Sequence, residues 1–204
     1  MEIQMLSFKQ FISESFGSFN LARKINMQTL AQRSSSAETY GKIKNKKHLN
    51  DYVKNSRPLN DALSSGNPLS DEHNAAYNTM HSLTSKTLKH NHTLYSKITP
   101  EKAKEYISNK ETTVPHFLST SMNARNALKR GGGGSGLYNS DEHHIMRIKN
   151  SGNLKGFHVG RQSKYPSELE SVLKDKTTIV HRKSHKGMID GETVHIHDFD
   201  VKHQ

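Results

Sequence analysis

Tyr165-Pro166-Ser167-Glu168-Leu169-Glu170-Ser171-Val172-Leu173 is the most informative stretch of this chain. Two carboxylates stand two residues apart at the start of an apolar run that follows a proline. Because side chains alternate along a strand, the pattern predicts Glu168 and Glu170 on one face, with Cα atoms roughly 6–7 Å apart. Such a pair can act as a general base and can stabilise a developing positive charge. The alternative is an edge strand with two solvated glutamates, as for most exposed acidic pairs.

The sequence around this stretch predicts short strands and helices in an α+β arrangement with an antiparallel or mixed sheet. Thr99 and Pro100 predict the start of one helix, and Ser70 caps another. The predicted strands are 92–98, 114–121, 143–148, 154–159, 168–173, 177–182 and 193–199. We expect a domain over residues 48–204, preceded by a basic leader or tail over residues 1–47.

Composition limits the chemistry. The 204 residues suit one domain, and the 31% hydrophobic content with a mean hydropathy of −0.84 indicates a modest core with long polar segments. There is no cysteine, which excludes disulfides and cysteine-based metal or nucleophile chemistry. Since no run of about 18 apolar residues exists, we expect no membrane partner.

The net charge of +11 favours contact with DNA, RNA or another polyanion, or simply a basic, soluble surface. Residues 1–50 carry +5 of that charge, so if the chain contacts DNA, the basic tail is the predicted binding segment.

Two further motifs predict no function. Residues 131–136 formally contain G-x-G-x-x-G, but they follow a helix and precede a strand, the reverse of a dinucleotide-binding turn. None of the histidine pairs has a known zinc-site spacing, so we predict no metal. These pairs are His143/His144, His181/His185 and His195/His197.

The order of motifs from about His48 onward resembles the toxin-type mono-ADP-ribosyltransferases, the group with an Arg / Ser-Thr-Ser / Glu-x-Glu signature. Ser119-Thr120-Ser121 ends a strand, 155–159 leads into a loop, and Glu168-Leu169-Glu170 follows at the family's spacing. Upstream, Tyr52, Asn60 and Leu63 fit the family's helical N-terminal part. The resemblance implies an ADP-ribosyltransferase-like fold, NAD as a substrate and no metal. It implies transfer of ADP-ribose to arginine side chains of host proteins, with release of nicotinamide.

The resemblance also implies roles for individual residues. Glu170 would stabilise the oxocarbenium-like ribose that forms when the nicotinamide bond breaks. Ser119 would hold that carboxylate, and Thr120 and Ser121 would support the nicotinamide pocket. Glu168 would orient the acceptor and take its proton, because an arginine with a pKa above about 12 needs a base before it attacks. Tyr165 would pack either on the target protein or within its own loop.

One position departs from the family, whose first strand carries an arginine after an aromatic residue to hold the NAD phosphates. Here Leu94-Tyr95-Ser96-Lys97 places a serine there, and Tyr95, Ser96 and Lys97 are the candidate cofactor-binding residues. Lys97 faces away from Ser96 in an unbroken strand, so we expect it to reach the site only through a bulge or register shift. A lysine also lacks the bidentate fork of arginine.

The opening residues resemble the capsid-targeting leaders of internal head proteins in tailed bacteriophages of the myovirus type. The match lies in Phe8-Lys9-Gln10-Phe11-Ile12-Ser13-Glu14 and implies cleavage after Glu14. It implies a location in the phage head, then in the host cytoplasm. The alternative is an N-terminal amphipathic helix without processing.

Two rival functions stay open. The first is a catalytically weak or inactive basic head protein that binds DNA or a host factor. The second is an NAD glycohydrolase, in which water replaces the arginine acceptor.

Overall fold

The computed structural model describes residues 46–88, 93–130, 142–149, 152–159 and 169–202. The leader with its predicted cleavage after Glu14, the glycine-rich stretch, Tyr165 and Glu168 lie outside the described residues. The predicted boundary near residue 47 falls within the first described helix.

Five helices are described. Three precede the first strand and two follow strands. Their bounds are α1 Lys46–Lys54, α2 Arg57–Ser65, α3 Asp71–Thr84, α4 Pro100–Ser108 and α5 Ala124–Arg130. The two predicted N-caps are confirmed, since the Ser70 hydroxyl accepts from the His73 amide (3.3 Å) and the Thr99 hydroxyl accepts from the Lys102 amide (3.2 Å). None of the described helices is long and apolar enough to cross a membrane.

The described strands form one eight-stranded sheet in the order β2-β7-β8-β4-β1-β3-β6-β5. Strands β4 and β8 are parallel, and every other neighbouring pair is antiparallel. The bounds are β1 Thr93–Ile98, β2 Glu111–Val114, β3 Leu118–Ser121, β4 His143–Lys149, β5 Gly156–His158, β6 Glu170–Leu173, β7 Thr177–Ile189 and β8 Glu192–Val201. The predicted α+β class with a mixed sheet is confirmed.

The predicted single strand 114–121 is wrong. Strand β2 ends at Val114 and pairs with β7, whereas β3 begins at Leu118 and pairs with β1 and β6. The two strands therefore lie in different halves of the sheet. Pro115 explains the break, because it lacks the N–H that a continuing ladder requires.

The C-terminal hairpin is longer than predicted. Strand β7 continues past residue 182 to Ile189, and the chain then reverses at Asp190 and Gly191. Both turn residues have a positive φ, 57° and 84°, as a two-residue hairpin turn with the sheet's twist requires. The sequence did not predict this part of β7 because its residues are mostly polar. Its pairing with β8 shows that it is a strand.

The two faces of the sheet are covered differently. On one face, Ala103 and Tyr106 of α4 join the largest apolar cluster, with Leu94 and Ile148. On the other face, helices α1–α3 cover one half and α5 covers the other half. This second face therefore carries two separate apolar clusters.

Candidate active site

A row of five polar side chains crosses the sheet on the face that carries helices α1–α3 and α5. Each member is the direct cross-strand partner of the next: Asp198 on β8, Arg147 on β4, Tyr95 on β1, Ser121 on β3 and Glu170 on β6. Directly opposite residues share a face, so all five side chains belong to the same surface. We call these five residues the polar row.

The polar row borders both apolar clusters of this face along the same side. Two residues beyond Glu170, Val172 packs with Leu49 of α1 and Met80 of α3. Two residues before Arg147, Ile145 packs with Leu128 of α5. Val172 and Ile145 belong to one neighbouring cross-strand row, which also holds Ser119 and Lys97. The polar row is therefore bordered by apolar side chains on that side, a combination typical of ligand sites.

Glu170 is the first residue of β6, so the predicted strand start at residue 168 is wrong. Leu169 has a φ of 52°, in the left-handed region that a leucine rarely adopts. The regular alternation of β6 therefore begins at Glu170. The shared face of Glu168 and Glu170 stays a prediction, because Glu168 lies outside the described residues. The Leu169 carbonyl accepts from the Met122 amide (3.3 Å), and the Glu170 carbonyl accepts from the Val159 amide (3.1 Å). These bonds hold the turn at Leu169 in place.

Tyr52 is the residue of helix α1 that lies near the predicted catalytic residues Ser119 and Glu170. Its ring is buried, and its hydroxyl accepts from the Asn60 amide nitrogen at 3.4 Å. Burial raises the pKa of the Tyr52 phenol, and the negative charge of Glu170 acts in the same direction. Hydrogen bonds with Asn60, Ser119 and Ser56 act against that rise. Tyr52 is thus a neutral hydroxyl beside Ser119 and within electrostatic reach of Glu170.

The other two members of the Ser-Thr-Ser motif are placed on opposite faces. Ser121 belongs to the polar row, and its hydroxyl accepts from the Asn123 amide at 2.9 Å, just before α5. Thr120 points to the other face, where its buried hydroxyl donates to the Ser171 carbonyl at 2.8 Å. Thr120 therefore ties β3 to β6 and does not reach the face of Glu170.

Ser96 and Lys97 lie on the opposite faces of β1 from those that the sequence predicted. Strand β1 pairs with β4 without interruption, so no bulge turns Lys97. Lys97 shares the face of Tyr95, whereas Ser96 faces the other way and donates to the Ser119 carbonyl (3.0 Å). Lys97 therefore lies on the face of the polar row without any bulge or register shift. Burial lowers the pKa of Lys97, and Glu192 partly opposes that shift.

Arg147 is a member of the polar row that no sequence motif had indicated. Its Nε and Nη2 atoms donate to the two carboxylate oxygens of Asp198, at 2.5 and 2.8 Å. That pairing raises the pKa of Arg147, and it lowers the pKa of Asp198. The sequence does indicate its position, because Ile145 and Arg147 lie two residues apart in the predicted strand 143–148 and so share a face.

Histidines cluster on the opposite face of β4 and β8. The His144 ring stacks on those of His195 and His197, with centroids 4.8 and 5.2 Å apart. Nδ1 of His144 lies 2.9 Å from Nε2 of His197, whose Nδ1 lies 2.8 Å from the Ser184 hydroxyl. Within the described ranges, no three His, Asp or Glu side chains are arranged to hold a metal ion.

Comparisons with solved structures identify the fold. Plx2a, an ADP-ribosyltransferase toxin from Paenibacillus larvae, superposes with a TM-score of 0.64 at 17% identity, over 88% of this chain and 96% of that one. An ADP-ribosyltransferase from Clostridium botulinum gives a TM-score of 0.62 at 14% identity, over 85% of this chain and 95% of that one. The chain has the fold of the ADP-ribosyltransferase toxins. No protein-family model and no curated protein matches the sequence.

The same fold occurs in a larger toxin whose structure contains a nicotinamide dinucleotide. BECa of a binary enterotoxin of C. perfringens, solved with NADH, superposes with a TM-score of 0.62 at 14% identity. The similarity covers 85% of this chain and 48% of that one, so the chain spans about half of BECa.

Proposed function

We propose that this chain transfers ADP-ribose from NAD to arginine side chains of host proteins and releases nicotinamide. The observation that carries the proposal is the position of Glu170. On a fold shared with ADP-ribosyltransferases, this carboxylate ends the polar row, on the same face of the sheet as Ser119 and within reach of Tyr52.

The chemistry needs a negative charge at this place. The bond between ribose C1′ and the nicotinamide nitrogen breaks, and its electron pair leaves with neutral nicotinamide. The ribose then carries an oxocarbenium-like positive charge, which the Glu170 carboxylate stabilises. A nitrogen of the acceptor arginine attacks C1′ and loses a proton, for which Glu168 is the proposed base.

Neutral hydroxyls support this carboxylate better than cations would. Tyr52 and Ser119 can orient Glu170 without neutralising its charge, so its full attraction for the ribose cation is kept. Thr120 and Ser96 act indirectly, since their hydrogen bonds to backbone carbonyls join β3 to its two neighbours.

The test is incubation of the full chain with labelled NAD and a bacterial lysate, beside Glu170→Gln and a control variant, Glu111→Gln. Glu111 is an exposed glutamate paired with Lys202 at the sheet edge, so its loss leaves the site intact. We expect protein labelling that Glu170→Gln abolishes and Glu111→Gln retains, with mass spectrometry locating the label on arginine. Equal labelling by Glu170→Gln would overturn the site assignment. Release of free ADP-ribose without labelled protein would indicate the glycohydrolase.

The origin and delivery of the protein are part of the proposal. The leader's resemblance to capsid-targeting segments supports packaging in a phage head and injection with the DNA into the host cytoplasm. Tyr165 would then meet the host target. N-terminal sequencing of the protein from purified virions tests this, with Ser15 expected as the first residue.

A non-enzymatic role is the second candidate, and the net charge of +11 favours it. A protein that binds DNA through its basic tail would lose affinity steeply as salt rises. Deletion of residues 1–45 should then abolish DNA binding. Unchanged DNA affinity after that deletion would exclude the tail as the binding element.

A further inference from the structure

NAD brings a diphosphate with negative charge, and a cleft that binds it needs a cation near that group. The serine that replaces the family's arginine does not supply one, because Ser96 points to the other face of the sheet. Arg147 lies on the face of the polar row. The charge of Arg147 acts on the phenol of its neighbour Tyr95. Burial raises the pKa of that phenol, and Arg147 opposes the rise.

We propose that Arg147, held by Asp198, binds the diphosphate of NAD in this chain, on the strand next to the one that carries the family's arginine. This inference rests on the proposed function, because it takes Glu170 as the position of the reacting ribose. Asp198 is a positioning residue that acts through Arg147.

The spacing along the polar row suits an extended dinucleotide. Glu170 and Arg147 lie three strands apart, which is roughly 14 Å between Cα atoms at about 4.8 Å per strand. In NAD, the ribose ring and its 5′-methylene separate the scissile bond from the diphosphate. A substrate with its scissile bond at Glu170 that extends along the row passes over Ser121 and Tyr95 toward Arg147.

The ion pair leaves Arg147 able to bind an anion. A guanidinium has five N–H donors, and Asp198 takes one each from Nε and Nη2. The edge formed by Nη1 and Nη2 stays outside this pair and offers the fork that phosphate oxygens match. The Arg147 side chain is 28% exposed, whereas that of Asp198 is 7% exposed, so the arginine is the accessible partner.

Asp198 does not cancel the local positive charge. Nζ of Lys183 lies 3.9 Å from an Asp198 oxygen. Asp198 thus faces two cations, Arg147 and Lys183, so one carboxylate does not neutralise this end of the row. Its contribution is to fix the guanidinium before the ligand arrives, which reduces the entropy lost on binding.

Lys97 is the weaker candidate for the diphosphate. Its direct partner on β4 is Ile145, which belongs to the apolar cluster under α5. The nearby carboxylate of Glu192 also attracts its ammonium group. A lysine presents a point charge, whereas Arg147 presents a planar fork.

The test measures binding by calorimetry, without turnover, in the full chain carrying Glu170→Gln. The ligands are NAD, ADP-ribose and nicotinamide riboside, which lacks phosphate. The variant is Arg147→Met with Asp198→Asn, which removes both charges and so avoids a buried unpaired carboxylate. The matched control is Arg182→Met with Asp200→Asn, a second Arg–Asp pair at 2.7 Å on the β7–β8 hairpin.

We expect the Arg147/Asp198 variant to bind NAD and ADP-ribose about tenfold to a hundredfold more weakly, the range for losing a charged hydrogen bond. Its affinity for nicotinamide riboside should stay within about twofold of the starting protein, and the control should match the starting protein for all three ligands. Arg147→Lys should recover part of the affinity for ADP-ribose, since it restores charge without the fork.

Three results would overturn the inference: unchanged NAD affinity in the variant, an equal loss for all three ligands, or no ADP-ribose binding by the starting protein. Failure of the proposed function is seen separately. A protein with the native Glu170 that binds ADP-ribose through Arg147 but releases no nicotinamide from NAD would retain the phosphate site and lack the activity.

Discussion

The two halves of the sheet hold their polar groups in different ways. In the half formed by β1, β3 and β6, hydroxyl groups donate to backbone carbonyls, as Ser96 does to Ser119 and Thr120 does to Ser171. In the half formed by β4, β7 and β8, ionisable groups contact one another. Arg147 pairs with Asp198 there, and histidine rings stack across the strands.

This difference separates two tasks. Glu170 lies in the hydroxyl-rich half, where its direct cross-strand partner on β3 is the neutral Ser121. Arg147 lies in the half of paired charges, where a buried aspartate holds a cation in one orientation. One half therefore suits stabilising a positive charge that develops during a reaction, and the other suits binding a permanent anion.

Breaking the ion pair from one side should produce the largest loss of stability. Arg147→Ala leaves Asp198 almost buried without its main partner, and we expect a loss of about 3 kcal/mol, the low end for a broken buried pair. Arg182→Ala, in an exposed pair, should cost under about 1 kcal/mol. Urea unfolding of both variants measures the contrast, and equal losses would mean that Asp198 does not need Arg147.

Placing an arginine at the family's position should fail to improve the site. Ser96→Arg puts a charge on the face that packs with Leu94 and Ile98, so we expect a loss of about 2–3 kcal/mol and no gain in NAD affinity. Lys97→Arg, on the opposite face, should be tolerated. Thermal unfolding and calorimetry test both, and tighter NAD binding by Ser96→Arg would show that the two faces are wrongly assigned.

Acid should lower the stability of the protein through the histidines of β4 and β8. Burial, followed by the charges of His144, His181, His195 and His185, lowers the pKa of His197 from 6.5 to about 4. The unfolded chain then takes up a proton that the folded chain resists, so stability is lost as the pH falls from 6.5 toward 4.

The expected loss through His197 is roughly 2 kcal/mol between pH 6.5 and 4.5. Urea unfolding at these two pH values measures it, with His197→Asn as the comparison. The variant should lose less stability than the native protein over this interval. An equal pH dependence would show that His197 titrates normally in the fold.

The smallest predicted effect concerns Tyr52. Tyr52→Phe keeps the ring that packs edge-on against Phe117 but removes the hydroxyl beside Ser119. We expect about 1 kcal/mol of lost stability and a roughly tenfold lower rate of nicotinamide release. Tyr106→Phe, on the other face, is the matched control and should leave that rate unchanged. A rate unaffected by Tyr52→Phe would limit Tyr52 to packing.

Local features of the sequence were sufficient for much of the fold. Ser70 and Thr99 predicted helix starts because an N-cap depends on residues three positions apart. The α+β class followed from the spacing of apolar residues and turns. The same kind of pattern predicted strands that end at Ser121 and Leu173, although both strands begin later than predicted.

The remaining features depend on partners that are distant in sequence. Arg147 and Asp198 are 51 residues apart, and only the parallel pairing of β4 with β8 places them opposite each other. The left-handed turn at Leu169 is held by an amide from Met122 on another segment.

The sequence by itself determined the kinds of residue that the site contains and the elements that carry them. Only the tertiary structure decided which face each residue occupies, so that Lys97 shares the face of Tyr95 and Ser96 does not. The physical reason is that strands alternate with a period of two. A face is therefore assigned by the register with neighbouring strands, and that register is not encoded in any short stretch.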